Sequence, residues 1–337
     1  MLSLFGYIYG KIANVRNMLY DKGVFDVFDA RVRVISAGNI SAGGTGKTPL
    51  VAYIARILAD RGEKVCILTR GYGRIDAKKR VLVTDGKQIN SDAKHSGDEP
   101  FELANKLLGK AIIIADADRV AAASWARRKF GVTVFLLDDG FQHRKVGRGL
   151  DIVCIDATDD FKDAKMLPEG RLREPLSGLK RAGAVVITRA NLVADISNLR
   201  LEISTFNDDA PVFIAKNKIS NILRLEDFHA KSQRSPSKFE VRKAFAFCGI
   251  GNPNNFFDQL QQEKMNITGT KAFRDHHIYT QSDVADIEKK ARETSSAILL
   301  TTAKDAVKLS SLRFEIPCFV VEIEMVLDAA DAFKNLI

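Results

Sequence analysis

The sequence predicts an α/β protein made of two α/β/α domains, and three observations carry that expectation. Apolar runs of five to seven residues alternate with helical segments from residue 31 onward, as expected for strands buried on both faces of a parallel sheet. The alternation changes near residue 200, where "PVFIAKNKISNILRLEDF" (211–228) carries charge between its apolar residues, and a second series follows. A length of 337 residues also suits two domains better than one. The expected layout is an amphipathic helix at 1–25 and a first domain with a mostly parallel sheet at 26–210. A short linker strand follows at 211–222, then a smaller α/β domain at 223–317 and a return strand with a terminal helix at 318–337.

Taken in order, the N-terminal segment is amphipathic. Leu4, Ile8, Ile12, Val15 and Leu19 recur at helical spacing, while Ser3, Gly6, Gly10, Asn14 and Asn17 line another face. No basic segment precedes the apolar part, which argues against a secretory signal, and the stretch is too interrupted to span a bilayer. Lys11 and Arg16 are the only charged side chains among its first twenty residues. Such a helix either packs on the core or lies on an anionic leaflet, where each basic residue is worth about 1 kcal/mol.

"VRVISAG" (32–38) is a β-branched run, followed by a glycine-rich loop and a helix from about Thr48 to Asp60. "KVCILT" (64–69), "AIIIAD" (111–116), "VTVFLLDDG" (132–140), "LDIVCIDA" (150–157) and "AGAVVITRA" (182–190) read as further strands, with a helix at "DRVAAASWARRKFG" (118–131). "HAKSQRSPSK" (229–238) is a polar loop. The second series is "KAFAFCGIG" (243–251), "ITGTKAF" (267–273) and "AILLTTA" (297–303), with helices from Pro253 and Gln281. The closing "CFVVEIEMV" (318–326) matches the strand at 211–219 in charge content, so the two are expected to pair as a ribbon joining the domains.

The loop "SAGGTGKTP" (41–49) differs from G-x-x-x-x-G-K-[ST] only in having Ser41 at the first glycine. It follows a strand and opens a helix, so its amides converge on phosphate oxygens at a helix N-terminus. Gly43, Gly44 and Gly46 permit the close approach around Thr45, Lys47 reaches β- and γ-phosphates, and Thr48 is placed to ligate Mg²⁺. "VTVFLLDDG" supplies the complementary acids, Asp138 and Asp139, at a strand tip on the same sheet edge. Further polar clusters stand at strand exits: "TRGYGR" (69–74), "SGDEP" (96–100), "GFQHRK" (140–145) and "LPEGRLREPLSGLKR" (167–181). Singly, each is compatible with a capped loop; Asp98, for instance, is a candidate cap for a helix beginning at Pro100.

Composition excludes several classes. Hydrophobic residues at 46% and charged ones at 28% rule out disorder and collagen-like repeats. The four cysteines form no C-x-x-C pair or Cys/His cluster, so neither zinc nor a disulfide framework is indicated. A net charge of +9 calls for an anionic partner. Basic runs lack interleaved aromatics, so nucleic acid is not that partner. "TRANLVAD" and "TTAKD" do not match the N-K-x-D of guanine-specific enzymes, and Gly249-Ile-Gly251 lacks the third glycine of a dinucleotide fingerprint.

Together, "GNISAGGTGKTP", "LTRGYGR", "GDEP", "DDGFQHR", "GRLREP", "FCGIGNP", "FRDHHIY" and "TTAKDAVK", in that order, resemble the tetraacyldisaccharide 4'-kinase family over nearly the whole chain. Members of that family carry serine or threonine at the position of Ser41. The resemblance implies a P-loop NTPase-like kinase domain and ATP- and Mg²⁺-dependent phosphorylation of the 4'-hydroxyl of a tetraacyldisaccharide 1-phosphate in lipid A biosynthesis. It implies Asp98 as the base, His276 or the adjacent His277 as its partner, and Thr48, Asp138 and Asp139 at the metal. Asp139 and His143 join the catalytic set, and Asn39, Arg171 and Glu174 fall on the substrate side. It also implies a monomer held peripherally at the cytoplasmic face of the bacterial inner membrane, with the N-terminal helix on anionic lipid. The remaining alternative is a P-loop ATPase of the nucleotide-switch or metallochaperone type.

Overall fold

A computed structural model describes residues 2–159, 164–230 and 243–337. Of the polar loop expected at 229–238, residues 231–238 lie outside that range. The elements in chain order begin with α1 (Leu2–Asp21), β1 (Arg33–Asn39), α2 (Lys47–Asp60), β2 (Val65–Thr69), β3 (Val81–Thr84), α3 (Ala93–Ser96) and α4 (Asp98–Lys106). Next come β4 (Ala111–Ala115), α5 (Arg119–Phe130), β5 (Val134–Asp138), β6 (Leu150–Asp156), β7 (Ala184–Thr188), α6 (Ser197–Phe206), β8 (Val212–Arg224) and α7 (Leu225–Ala230). The remainder are β9 (Ala244–Cys248), α8 (Pro253–Gln262), β10 (Ile267–Ala272), α9 (Gln281–Glu293), β11 (Ile298–Thr302), α10 (Ala303–Ala306), β12 (Cys318–Leu327) and α11 (Ala330–Leu336).

The chain forms two compact units, Met1–Lys216 with Met325–Ile337, and Asn217–Glu324. It passes from the first to the second within β8 and returns within β12. In the first unit the strand order is β8-β7-β6-β1-β5-β2-β4-β3. The pairs are parallel except β3 with β4, an edge strand that the buried-run pattern does not reveal because Val81 and Leu82 are only partly covered. Strands β1, β2, β4, β5, β6 and β7 bury nearly every residue, as continuous apolar runs require. Helix α11 closes this unit: Phe333 is fully buried and meets Phe213 edge-on at 5.0 Å between ring centroids.

The second unit carries the parallel order β10-β9-β11-β12, covered by α8 and α9. Its core holds Phe245, Phe247, Tyr279, Leu299 and Val320. Helix α9 opens with a reciprocal capping box between Thr280 and Asp283.

Helix α1 packs with its weakly apolar face inward. Gly6, Gly10, Ala13 and Asn17 are buried, whereas Leu4, Phe5, Tyr7, Ile8, Ile12, Val15 and Met18 are exposed. The small residues let the helix come close to Met166: a Cβ on Gly10 would lie 3.5 Å from its Cγ. Among the described residues no helix is long and apolar enough to cross a membrane.

Candidate active site

The register between β1 and β5 sets Ala37 opposite Asp138, so the loop leaving β1 and the acids ending β5 emerge side by side at one sheet edge. The loop is braced from below. Asn39 is fully buried, and its amide nitrogen donates to the Thr45 hydroxyl at 2.9 Å and to the Ser41 carbonyl. From β7, the Thr188 hydroxyl donates to the Thr45 carbonyl at 2.9 Å. Gly46 caps α2 in the left-handed region (φ 79°), a backbone state that a side chain disfavours. Lys47 Nζ then stands 3.4 Å from the Gly43 carbonyl and 3.7 Å from Asp139 Oδ1. Thr48 follows in the first turn of α2.

The two acids differ. Burial, with Glu99 and Asp139 nearby, pushes Asp138 up to about 7. Burial also works to raise Asp139, but Lys47 and then Arg173 hold it below the usual carboxylate range. Arg173 NH1 donates to both Asp139 oxygens, at 2.8 and 2.7 Å. Arg119, almost fully buried, donates to the Asp138 carbonyl at 2.8 Å.

Asp98 opens α4 next to Glu99, at a helix N-terminus that favours negative charge. The helix begins at Asp98 itself and Gly97 is its cap, so Asp98 is not the cap of a helix starting at Pro100. Gly97 (φ 95°) is pressed on the "TRGYGR" loop: a Cβ there would fall 2.7 Å from the Tyr72 carbonyl. The contact joins the "TRGYGR" loop, at the exit of β2, to "GDEP", which the structure places at the junction of α3 and α4 rather than at a strand exit. His143 is half-buried and its Nε2 has no hydrogen-bond partner among the described residues. Burial first, then Arg119, Arg148 and Lys145, lower its pKa to about 4, so the ring is neutral at pH 7.

The segment "GRLREP" lies extended along residues 40–42. The Ala42 amide donates to the Arg171 carbonyl at 2.6 Å, and the Arg173 amide to the Ile40 carbonyl at 2.8 Å. Arg171 turns to the phosphate loop: its Nε donates to the Ala42 carbonyl at 2.9 Å and its NH1 to Asp159 at 2.6 Å. Glu174 is fully buried, with its oxygens accepting from Asn17 Nδ2, Gln142 Nε2 and Arg181 NH2, each at 2.8 Å. Asn39 and Glu174, both expected on the substrate side, are thus internal braces in this conformation: Asn39 stiffens the loop and Glu174 holds α1. The sequence motifs do not single out Arg119 or Arg173, although Arg173 sits in the same motif two residues from Arg171 and an extended backbone turns both to one face.

In the second unit, His276 occupies the left-handed region (φ 59°) at the tip of the turn after β10. Its amide donates to the Gly249 carbonyl at 3.2 Å and to Asp275 Oδ1 at 3.0 Å. His277 is engaged inside the unit: its ring stacks on Phe273 at 4.5 Å, meets Tyr279 edge-on at 4.9 Å, and its Nε2 lies 3.2 Å from Asp283.

A phosphate loop with its lysine, acids on the neighbouring strand tip and arginines around them define a P-loop phosphotransferase. The family model described as tetraacyldisaccharide-1-P 4'-kinase matches residues 1–337. Tetraacyldisaccharide 4'-kinases of Halothermothrix orenii and Desulfotalea psychrophila are 37% and 36% identical to the chain. These alignments cover 92% and 93% of it and 83% and 88% of the relatives. A crystal structure of LpxK from Aquifex aeolicus in complex with ATP superposes with a TM-score of 0.77 at 33% identity, covering 99% of this chain and 96% of that one. The chain belongs to the tetraacyldisaccharide-1-P 4'-kinase family. That assignment supports the kinase reading over the switch or metallochaperone ATPase.

Proposed function

We propose that the chain transfers the γ-phosphoryl group of ATP to the 4'-hydroxyl of a tetraacyldisaccharide 1-phosphate through the residues described above. The observation that carries the reading is Lys47 beside Asp139, with the loop of β1 and the acids of β5 in register on one edge. Loop amides and Lys47 cradle the phosphates, and Arg119 and Arg173 offset charge that develops during transfer. Asp98 accepts the proton of the sugar hydroxyl, with His276 as its partner. His277 is already committed to an aromatic cluster, which favours His276. His143, neutral at pH 7, joins the catalytic set, and its Nε2 is buried and without a hydrogen-bond partner among the described residues.

Thr48, Asp138 and Asp139 would hold Mg²⁺. Their oxygens suit a hard cation, and the crowding of Asp138 by Asp139 and Glu99 is relieved by positive charge. When bound, the ion would neutralise the β- and γ-phosphate oxygens. The exposed apolar face of α1 supports peripheral attachment of a monomer to an anionic membrane surface, the cytoplasmic face of the inner membrane, where a lipid substrate resides. The direct test is transfer of labelled γ-phosphate from ATP to detergent-dispersed disaccharide 1-phosphate. Labelled product at the lipid is expected. Its absence beside an active control enzyme overturns the assignment.

A further inference from the structure

We infer that Asp305 is a positioning residue that holds His276 in place through the backbone of Gly249; the inference rests on the reading of His276 as the partner of Asp98. Asp305 is fully buried in α10, at the exit of β11, and Gly249 stands at the exit of the neighbouring strand β9. One carboxylate oxygen, Oδ2, accepts from the Gly249 amide at 3.0 Å and from the Thr302 hydroxyl at 2.7 Å. The other, Oδ1, faces Lys308 Nζ at 3.2 Å. A helix cap alone explains the bond with Thr302, but not the reach across to β9. Gly249 therefore works on both sides of its Cα: Asp305 fixes its N–H, and its carbonyl, on the next peptide unit, accepts the amide of His276.

His276 needs such support because a side chain disfavours its left-handed backbone. A second route from the same helix ends on the same amide. Lys304 Nζ lies 3.1 Å from Asp275 Oδ1, the oxygen that also accepts from the His276 amide at 3.0 Å. Successive residues of α10 thus steady the turn from two sides. Gly249 leaves no slack, since a Cβ would stand 3.1 Å from His277 Cβ, 3.2 Å from the Arg274 carbonyl and 3.2 Å from the Tyr279 hydroxyl. "FCGIGNP", "FRDHHIY" and "TTAKDAVK" are on this reading one device: strand exits that set the position of a single histidine.

The test is a mutant cycle in the full-length chain, with steady-state transfer from ATP to the lipid acceptor. Asp305→Asn sets an amide donor among three donors without changing size. We expect kcat to fall on the order of 10- to 100-fold, as for a displaced catalytic group, with KM for ATP within about twofold. The D305N/H276A double variant should be no more than about threefold slower than H276A, because a residue acting through His276 has nothing left to act on. Losses that multiply in the double variant overturn the positioning role. If D305N does not fold, Gly249→Ala takes its place in the same cycle, with the same expectation and the same refutation. A slow H276A beside a normal D305N sinks the role of Asp305 alone. An H276A enzyme that turns over normally sinks the assignment of His276 and the inference with it.

Discussion

Replacing Leu4, Ile8 and Ile12 of α1 together by serine is expected to release the protein from anionic vesicles without loosening its fold. These side chains are 58%, 45% and 63% exposed, so each has roughly half its surface available for a membrane to cover. Full burial of such a side chain is worth about 1.5–3 kcal/mol, so half of it is about 1 kcal/mol each and about 3 kcal/mol for three. At about 1.4 kcal/mol per tenfold, partitioning should weaken by roughly 100-fold or more. Surface changes of this kind alter stability by only about 0.5 kcal/mol, so the melting temperature should stay within a degree or two. Co-sedimentation with phosphatidylglycerol-containing vesicles, beside a thermal melt, reads both quantities. The contrasting variant is Gly10→Leu on the inward face, where even a Cβ meets Met166; it should lower the melting temperature. Unchanged vesicle binding by the triple serine variant refutes the membrane role. A lower melting temperature for it refutes the orientation of the helix.

Asp98→Asn should reduce kcat by about 10²–10⁴ while ATP affinity, read by a fluorescent analogue, changes less than about twofold; a collapse in ATP affinity instead would place Asp98 in the nucleotide site. Asp138 titrates near 7 in the fold and near 3.9 unfolded, so the folded state binds more protons between these values and loses stability as pH rises through them. Without Mg²⁺, Asp138→Asn should therefore raise the melting temperature by a few degrees at pH 8 and much less at pH 4, measured by calorimetry. His143 acts in the opposite sense. Its pKa falls from about 6.5 unfolded to about 4 folded, so its contribution to stability is lost as pH drops through that window, and His143→Gln should flatten the acid limb of the same melting profile. Glu174→Ala leaves the partly buried Arg181 and the buried Asn17 amide without their carboxylate and should destabilise the protein by about 3 kcal/mol in urea titration, with KM for the lipid unchanged in the protein that remains folded.

The sheet and the phosphate loop were legible because both are local. A buried parallel strand must be an apolar run, and a phosphate loop must sit between such a run and a helix. What escaped the sequence depends on long-range packing. Periodicity gives a helix two faces but not the one that turns inward. In α1 the answer comes from Glu174, which is 157 positions from Asn17 in the chain and buries its partner's amide. A helix docked by its apolar stripe would take the Asn17 amide away from that carboxylate, whereas the small-residue face brings Asn17 to within 2.8 Å and lets Gly10 settle on Met166. The same hydrogen bonds continue inward. Gln142 bridges Glu174 to the Asn39 carbonyl, and Asn39 holds Thr45 in the phosphate loop. The residues of "GRLREP" thus divide by depth: Arg171 and Arg173 reach the loop and the acids, and Glu174 beneath them ties that edge to α1. A motif read as one substrate-facing cluster serves two purposes, and only burial separates them.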